Sequence, residues 1–232
     1  MIEDRVTAVR RRIARAAERV SRPPEEVTLV AVSKTWPAAA VRAAFAAGVR
    51  HFAENRVQEA DAKIAGLTEL RADGLRWHLV GHLQSNKARK AAALFDVIQS
   101  VDSVELAERL ARACAESGRT VRVLVQVDLA GETAKSGLAE GAVEGALRRM
   151  RDLDGLRIDG LMVLPPYLDD PEEVRPYFAR LRDLRDRAAE AGLLEGAELS
   201  MGMSHDFETA VEEGATIVRV GTAIFGERTA AA

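Results

Sequence analysis

Lysine is nearly missing from this 232-residue chain. It stands only at positions 34, 63, 87, 90 and 135, against 28 arginines. Arginine stays protonated in a protein, whereas lysine can lose its proton and attack a carbonyl carbon. The shortage therefore singles out Lys34, which ends the apolar run Val27-Thr28-Leu29-Val30-Ala31-Val32-Ser33. A drifted surface lysine is the plainer reading of that feature alone. Cysteine occurs once, at Cys114, which excludes an internal disulfide framework; within its amphipathic helical pattern it reads as a small core residue. Aromatics make up 4% of the chain, and no apolar stretch approaches the ~20 residues of a membrane span. The net charge of −3 gives the whole molecule no pull toward nucleic acid or anionic lipid. No Gly-x-Gly-x-x-Gly follows the first apolar run and no Walker-type loop is present, which removes support from the nucleotide-binding α/β folds. The N-terminus is charged from Glu3 onward, without a signal-like apolar region, so a soluble cytoplasmic protein is expected.

What is present is alternation. Residues 1–22 carry apolar positions at Ile2, Val6, Val9, Ile13, Ala17 and Val20, a helical spacing that Pro23 and Pro24 end. The run Arg10-Arg11-Arg12 shares that helix's polar face with Glu3, Asp4 and Glu18, which suits a solvated face better than a nucleic-acid contact. Short β-branched runs follow at 27–33, 49–53, 76–80, 97–100, 121–127, 157–163, 197–200 and 216–220. Helical stretches at 37–47, 56–70, 104–117, 142–151 and 171–191 separate most of them. Strands alternating with helices imply parallel βαβ units. Eight such strands in a chain of this length fit a closed (β/α)8 TIM barrel better than an open sheet. No linker divides the chain, so one domain over 1–232 is expected, with 1–22 as an extra N-terminal helix.

A barrel of this kind builds its active face at the carboxyl ends of the strands. Lys34 ends the first strand there, and on the same pleat Val30 and Val32 would line the interior. An amine among apolar walls is harder to protonate and stays nucleophilic. Strand seven runs into Leu199-Ser200-Met201-Gly202-Met203-Ser204, and strand eight into Gly221-Thr222-Ala223-Ile224-Phe225-Gly226. Loops at these two strand ends are the usual phosphate cradle of the architecture. Gly202 and Gly221 would let backbone approach an anion, and Ser200, Ser204 and Thr222 offer hydroxyls. Tight turns alone would also explain the glycines. Arg219 interrupts the apolar strand Ile217-Val218-Arg219-Val220, and a buried arginine needs a partner. A nucleophilic lysine, a phosphate cradle and a buried arginine together describe a pyridoxal phosphate site.

These segments closely resemble the YggS/PROSC family of pyridoxal phosphate homeostasis proteins. The resemblance runs from Leu29-Val30-Ala31-Val32-Ser33-Lys34 through His51-Phe52-Ala53-Glu54-Asn55 and Trp77-His78-Leu79-Val80-Gly81-His82-Leu83-Gln84-Ser85-Asn86-Lys87 to Arg219-Val220-Gly221-Thr222. It implies a barrel like the N-terminal domain of alanine racemase, with pyridoxal 5′-phosphate carried as a Schiff base on Lys34. It also implies that Ser200, Gly221 and Thr222 hold the phosphate, that Arg219 faces the pyridine nitrogen, and that Asn55, Met201 and Ser204 contribute to the pocket. The family stores the cofactor and delivers it to pyridoxal phosphate-dependent apo-enzymes, with little catalysis of its own. A monomer that binds neither membrane nor nucleic acid is the corresponding expectation. The alternative is a racemase or decarboxylase. That needs a second acid or base across the ring, usually a tyrosine, and the chain's tyrosines are Tyr167 and Tyr177. Tyr177 fits a helix's packing face; Tyr167 falls on the loop after strand six.

Two departures stand out. His205 follows the Ser-Met-Gly-Met-Ser stretch where an acidic or other polar residue is more usual, and Val163-Leu164 are larger than the family's strand end suggests. His78 and His82 are four apart, but that spacing aligns metal ligands only on a helix, and this segment reads as strand into loop. Lys135, in a polar loop after strand five, is the rival lysine: solvated and protonated, it is a poorer nucleophile than Lys34.

Overall fold

The computed structural model describes residues 1–131 and 136–227. Helix α1 (Ile2–Arg19) comes first and buries Val6, Val9, Ile13, Ala16 and Ala17, the face its spacing predicts. Eight parallel strands then form the ring: β1 (Thr28–Val32), β2 (His51–Glu54), β3 (Arg76–Leu79), β4 (Val97–Val101), β5 (Val121–Asp128), β7 (Leu156–Val163), β8 (Glu198–Ser200) and β9 (Ile217–Val220). A two-residue strand, β6 (Leu138–Ala139), adds only to the edge of β5. Pairing of β4 with β5 through Val97–Arg122 and Ile98–Val123 joins the two halves and closes the barrel.

The connecting helices are α2 (Ala38–Ala46), α3 (Val57–Ala65), α4 (Ala88–Leu94), α5 (Val104–Ser117), α6 (Val143–Met150), α7 (Arg175–Glu190), α8 (Phe207–Glu212) and α9 (Thr222–Phe225). The limits of α5 match the sequence reading because both ends are marked. Ser103 caps the N-terminus by accepting the Leu106 N–H, and Gly118 adopts φ +62° after the last turn. The stretch expected as one helix over 56–70 stops at Ala65 and resumes as a 3-10 turn, Thr68–Arg71, since Gly66 favours an ending. The stretch 171–191 likewise opens as a 3-10 turn, Pro171–Val174, before α7. Helices α4 and α9 have no counterpart among the helical stretches of the sequence; at seven and four residues they are too short to show a period.

Strand alternation divides the apolar residues between two cores. Phe52, Trp77, Leu79 and Ile98 face outward and pack under the helices with Phe95, Phe178 and Phe207. Each fully buried phenylalanine there contributes on the order of 2–3 kcal/mol. Val30, Ala53, Val80, Leu124, Met162 and Ile217 face inward, with Val32 and Leu164 packed on them. Cys114 is buried in the outer core, where burial raises its thiol pKa. No helix among the described residues is long and apolar enough to cross a membrane.

Candidate functional site

Lys34 lies in the turn that leaves β1, and three neighbours brace that turn. The Ser33 N–H donates to the Ala53 carbonyl at 2.9 Å, and the Trp36 N–H closes the turn on the Ser33 carbonyl at 3.0 Å. The Ser33 hydroxyl donates to Glu54 Oε1 at 2.6 Å. Lys63, from α3, donates to the same Oε1 at 2.6 Å and to the Ser33 carbonyl at 2.8 Å. Glu54 is wholly buried and its Oε2 has no partner, so Lys63 supplies the charge, and Ser33 a further hydrogen bond, that compensate a desolvated carboxylate. Thr35, next to Lys34, takes φ +69°, a costly conformation for a β-branched residue. Strain beside the lysine is thus held in place by a buried brace behind it.

The lysine opens into a cavity of about 650 Å³ at the carboxyl end of the barrel, within the usual range of small-molecule pockets. Val32, Trp36, Met203 and Ala223 give it apolar walls, and Trp36 is stacked on Phe225 with ring centroids 5.8 Å apart. Arg219 lies at its inner end, 3% exposed, opposite Val30 in the β1–β9 register. It donates to Ser200 Oγ at 2.6 Å and to the Val163 carbonyl at 2.7 Å. Burial pushes its pKa down to about 10, against the Asp206 carboxylate, which raises it. The guanidinium therefore stays charged at neutral pH.

At the other side of the cavity, Ser204 Oγ accepts the N–H of Gly221 at 3.2 Å and of Ala223 at 3.3 Å. These are long bonds to the first amides of α9, and the exposed Thr222 sits between them. An anion in this position would replace weak contacts with charge-assisted ones. Lys34, Arg219, Ser204, Gly221 and Thr222 thus share one cavity.

Three other expected site residues lie elsewhere. Ser200 is fully buried beneath Arg219, with its hydroxyl on Gln99 Oε1 at 2.6 Å, and does not join the Ser204 loop. Met201 points to the outer core, because β8 alternation sends it there, and Met203 lines the cavity instead. Asn55 lines a separate polar cavity with Arg56, His82 and Lys87. Gly202 takes φ +88°, and a Cβ there would meet Ala210 at 2.6 Å and Phe207 at 2.8 Å. It is the close approach of α8 that requires glycine. Tyr167, 71% exposed, lines the cavity and lies against His205, centroids 5.0 Å apart. His205 Nε2 in turn reaches the Leu168 and Asp169 carbonyls at 3.1 Å each, tying down the loop that carries Tyr167. Lys135 lies outside the described residues.

A family model for the alanine racemase N-terminal domain matches residues 5–229. The pyridoxal phosphate homeostasis protein of Aquifex aeolicus is 40% identical over 225 residues, 97% of each chain. The chain belongs to the pyridoxal phosphate homeostasis protein family. Another similar structure is PipY of Synechococcus elongatus, solved with pyridoxal phosphate bound. It superposes with a TM-score of 0.85 at 46% identity, covering 97% of this chain and 100% of that one. The likeness to Corynebacterium glutamicum alanine racemase has a TM-score of 0.70 at 21% identity. It covers 97% of this chain and 62% of the racemase, and shows the fold alone.

Within this member of the pyridoxal phosphate homeostasis family, sequence reading missed the supports of the site. Glu54 and Lys63 were passed over because neither touches the cavity; an acid ending a strand and the rarity of lysine were the available signals. Gln99 and Ser100 also went unremarked, although two polar residues interrupting an apolar strand were visible in Val97-Ile98-Gln99-Ser100. The β4–β5 register shifts between Ile98 and Val101 at that point.

Proposed function

We propose that this chain binds pyridoxal 5′-phosphate at the carboxyl mouth of its barrel and acts as an intracellular carrier of the cofactor, delivering it to apo-enzymes. The observation that carries the reading is the gathering of Lys34, Arg219 and the Ser204–Gly221–Thr222 loop around one cavity. The residues fit the group. Backbone amides and hydroxyls suit a phosphate, apolar walls suit a pyridine ring, and a donor-only guanidinium suits a ring nitrogen that accepts. When bound, pyridoxal phosphate supplies an aldehyde carbon that condenses with an amine and a ring that withdraws electrons.

Each residue then has a separate task. Lys34 supplies the amine, and the Ser33–Glu54–Lys63 brace fixes the turn from which it projects. Gly221, Thr222 and Ser204 hold the phosphate. Ser200 supports Arg219 from below and is not itself a phosphate ligand. Arg219 remains a cation and would disfavour a proton on a ring nitrogen facing it, since a second positive charge beside it is unfavourable. A cation in that place would leave the cofactor a weaker electron sink, which favours carriage over catalysis. The one tyrosine lining the cavity, Tyr167, is largely exposed, so its phenol stands in solvent rather than enclosed beside a reacting atom.

Tyr167 is nevertheless the observation that favours a second reading, weak amino-acid racemisation. Borohydride reduction of the cofactor-loaded protein, followed by peptide mapping, should label Lys34; a label on any other residue overturns the site. Incubation with amino acids in deuterated water should leave α-protons almost untouched. Rapid, stereoselective exchange would establish the enzyme instead.

A further inference from the structure

Five polar side chains run through the barrel from one mouth to the other. Arg219 donates to Ser200 Oγ at 2.6 Å, and Ser200 donates to Gln99 Oε1 at 2.6 Å. Gln99 Nε2 is 2.8 Å from His78 Nδ1, and His78 Nε2 is 2.9 Å from His51 Nδ1. The first four residues are buried. His51, at the start of β2, is half-buried and lines a cavity at the opposite mouth with Arg10, Glu25 and Arg50. The cofactor chemistry proposed above makes no use of Gln99, His78 or His51. Buried polar groups are costly unless fully satisfied, and these lie in a space otherwise filled by Val30, Leu124, Met162 and Ile217.

The chain has a direction. Arginine only donates, so Ser200 accepts from it and passes its own hydrogen to the Gln99 carbonyl. The Gln99 amide nitrogen then faces His78, whose Nδ1 accepts. His78 therefore carries its hydrogen on Nε2 and gives it to His51 Nδ1. The arrangement is consistent only while His51 Nδ1 is unprotonated. A proton there sets donor against donor at His78 Nε2. The conflict is relieved if the His78 hydrogen moves to Nδ1 and the Gln99 amide turns over. Ser200 then faces two donors, and its own hydrogen loses its acceptor.

We infer that Gln99 and His78 are positioning residues for Arg219, and that the chain they complete carries the protonation state of His51, at the far mouth, to the arginine at the cofactor mouth. Its bearing on the cofactor rests on the function proposed above; the chain itself does not. The groups facing His51 come from four strands or their approaches. These are Arg76 and His78 on β3, Asp96 ahead of β4, Arg122 on β5 and Glu198 on β8. Desolvation first, and then the two arginines, lower its pKa, so neutral His51 is the resting form and acid is the signal.

Nitrogen-15 NMR of the histidine rings, in the full chain without cofactor, tests the link directly. At neutral pH His78 should show the Nε2–H form. Both its nitrogens should shift in the same step in which His51 takes up a proton, and His51→Gln should remove that step. An Nδ1–H form of His78 at neutral pH, or His78 signals that stay flat through the His51 titration, would overturn the inference. With pyridoxal phosphate as the probe, Gln99→Met should bind about tenfold more weakly, the scale of one lost buried hydrogen bond, and displace the visible absorption band. Unchanged affinity and band would remove the positioning role. His51→Gln, at a half-buried site, should flatten the pH dependence of that band; an unaltered profile would equally refute the link. If pyridoxal phosphate fails to bind the parent protein, the function proposed above falls, while the ring nitrogens still decide whether the chain exists.

Discussion

The two mouths of this barrel handle charge in opposite ways. At the lower mouth each buried acid meets bases: Asp159, 1% exposed, pairs with Arg122 and with Arg157, the latter at 2.6 Å, and Arg122 also reaches Glu198 at 3.2 Å. At the upper mouth Arg219 is as deeply buried, yet its hydrogen bonds go to neutral oxygens of Ser200 and Val163. Paired charges close an end, because losing either partner would strand a desolvated charge. A buried cation given only neutral acceptors keeps its field for something else, which in the function proposed above is an acceptor atom of the cofactor. The upper mouth is supported from behind, by Lys63 and Glu54 outside the ring, so its support and its chemistry are separate residues.

The contrast can be broken at several points. Lys63→Met should have the largest effect, a loss of about 3–5 kcal/mol of stability in chemical denaturation, because it leaves the Glu54 carboxylate buried without its cation. A loss below about 1 kcal/mol would mean the brace is not what holds the Lys34 turn. Lys34→Ala should weaken pyridoxal phosphate binding by roughly two orders of magnitude, about 3 kcal/mol, with little change in melting temperature. Spectrophotometric titration measures this, and retained affinity would move the site to another amine.

Next come paired substitutions at the two ends. Asp159→Asn should cost about 2 kcal/mol of stability, with the half-exposed arginines limiting the loss, and leave cofactor affinity alone. Arg219→Met should do the reverse, leaving stability within about 1 kcal/mol while binding falls about tenfold. If both variants lost stability and neither lost affinity, the two mouths would not differ in the way described.

The remaining effect is on pH. Desolvation lowers the His51 and His78 pKa values in the folded protein, that of His78 well below the ordinary one. As pH falls through about 6.5 the unfolded chain takes up protons that the folded chain refuses. Stability should therefore decline toward acid, by up to about 1.4 kcal/mol per pH unit for each ring. Arg219, at about 10, stays charged throughout that range and adds nothing to the slope. Denaturation midpoints at a series of pH values check this, and His51→Gln should reduce the decline.

Much of the barrel was legible because alternation is a local property. All eight ring strands coincide with β-branched runs, Arg219 falls on the inward parity of β9, and Lys34 leaves the end of β1 to line the same cavity. Ser200 and Ser204 show where legibility stopped. Both are serines beside the same glycine, four residues apart, yet one ends a strand and is buried against Gln99, 101 residues away in sequence. The other leaves the strand and meets the amides of α9. Met201 and Met203 divide in the same manner. A motif gives the residue types, but the last paired residue of β8 determines which face each one takes.

By itself, then, the sequence determined the number and order of the ring strands, the parity of Arg219, and the end of the barrel at which Lys34 and Arg219 meet. Those follow from periodicity and from the scarcity of lysine. Only the tertiary structure decided that Ser204 rather than Ser200 meets the loop amides, that Lys63 stands behind Lys34, and that Arg219 connects through Ser200, Gln99 and His78 to His51. Each of these depends on closing the ring, which brings β2, β3, β4, β8 and β9 to one axis, and hydrogen bonds across that axis leave no period along the chain.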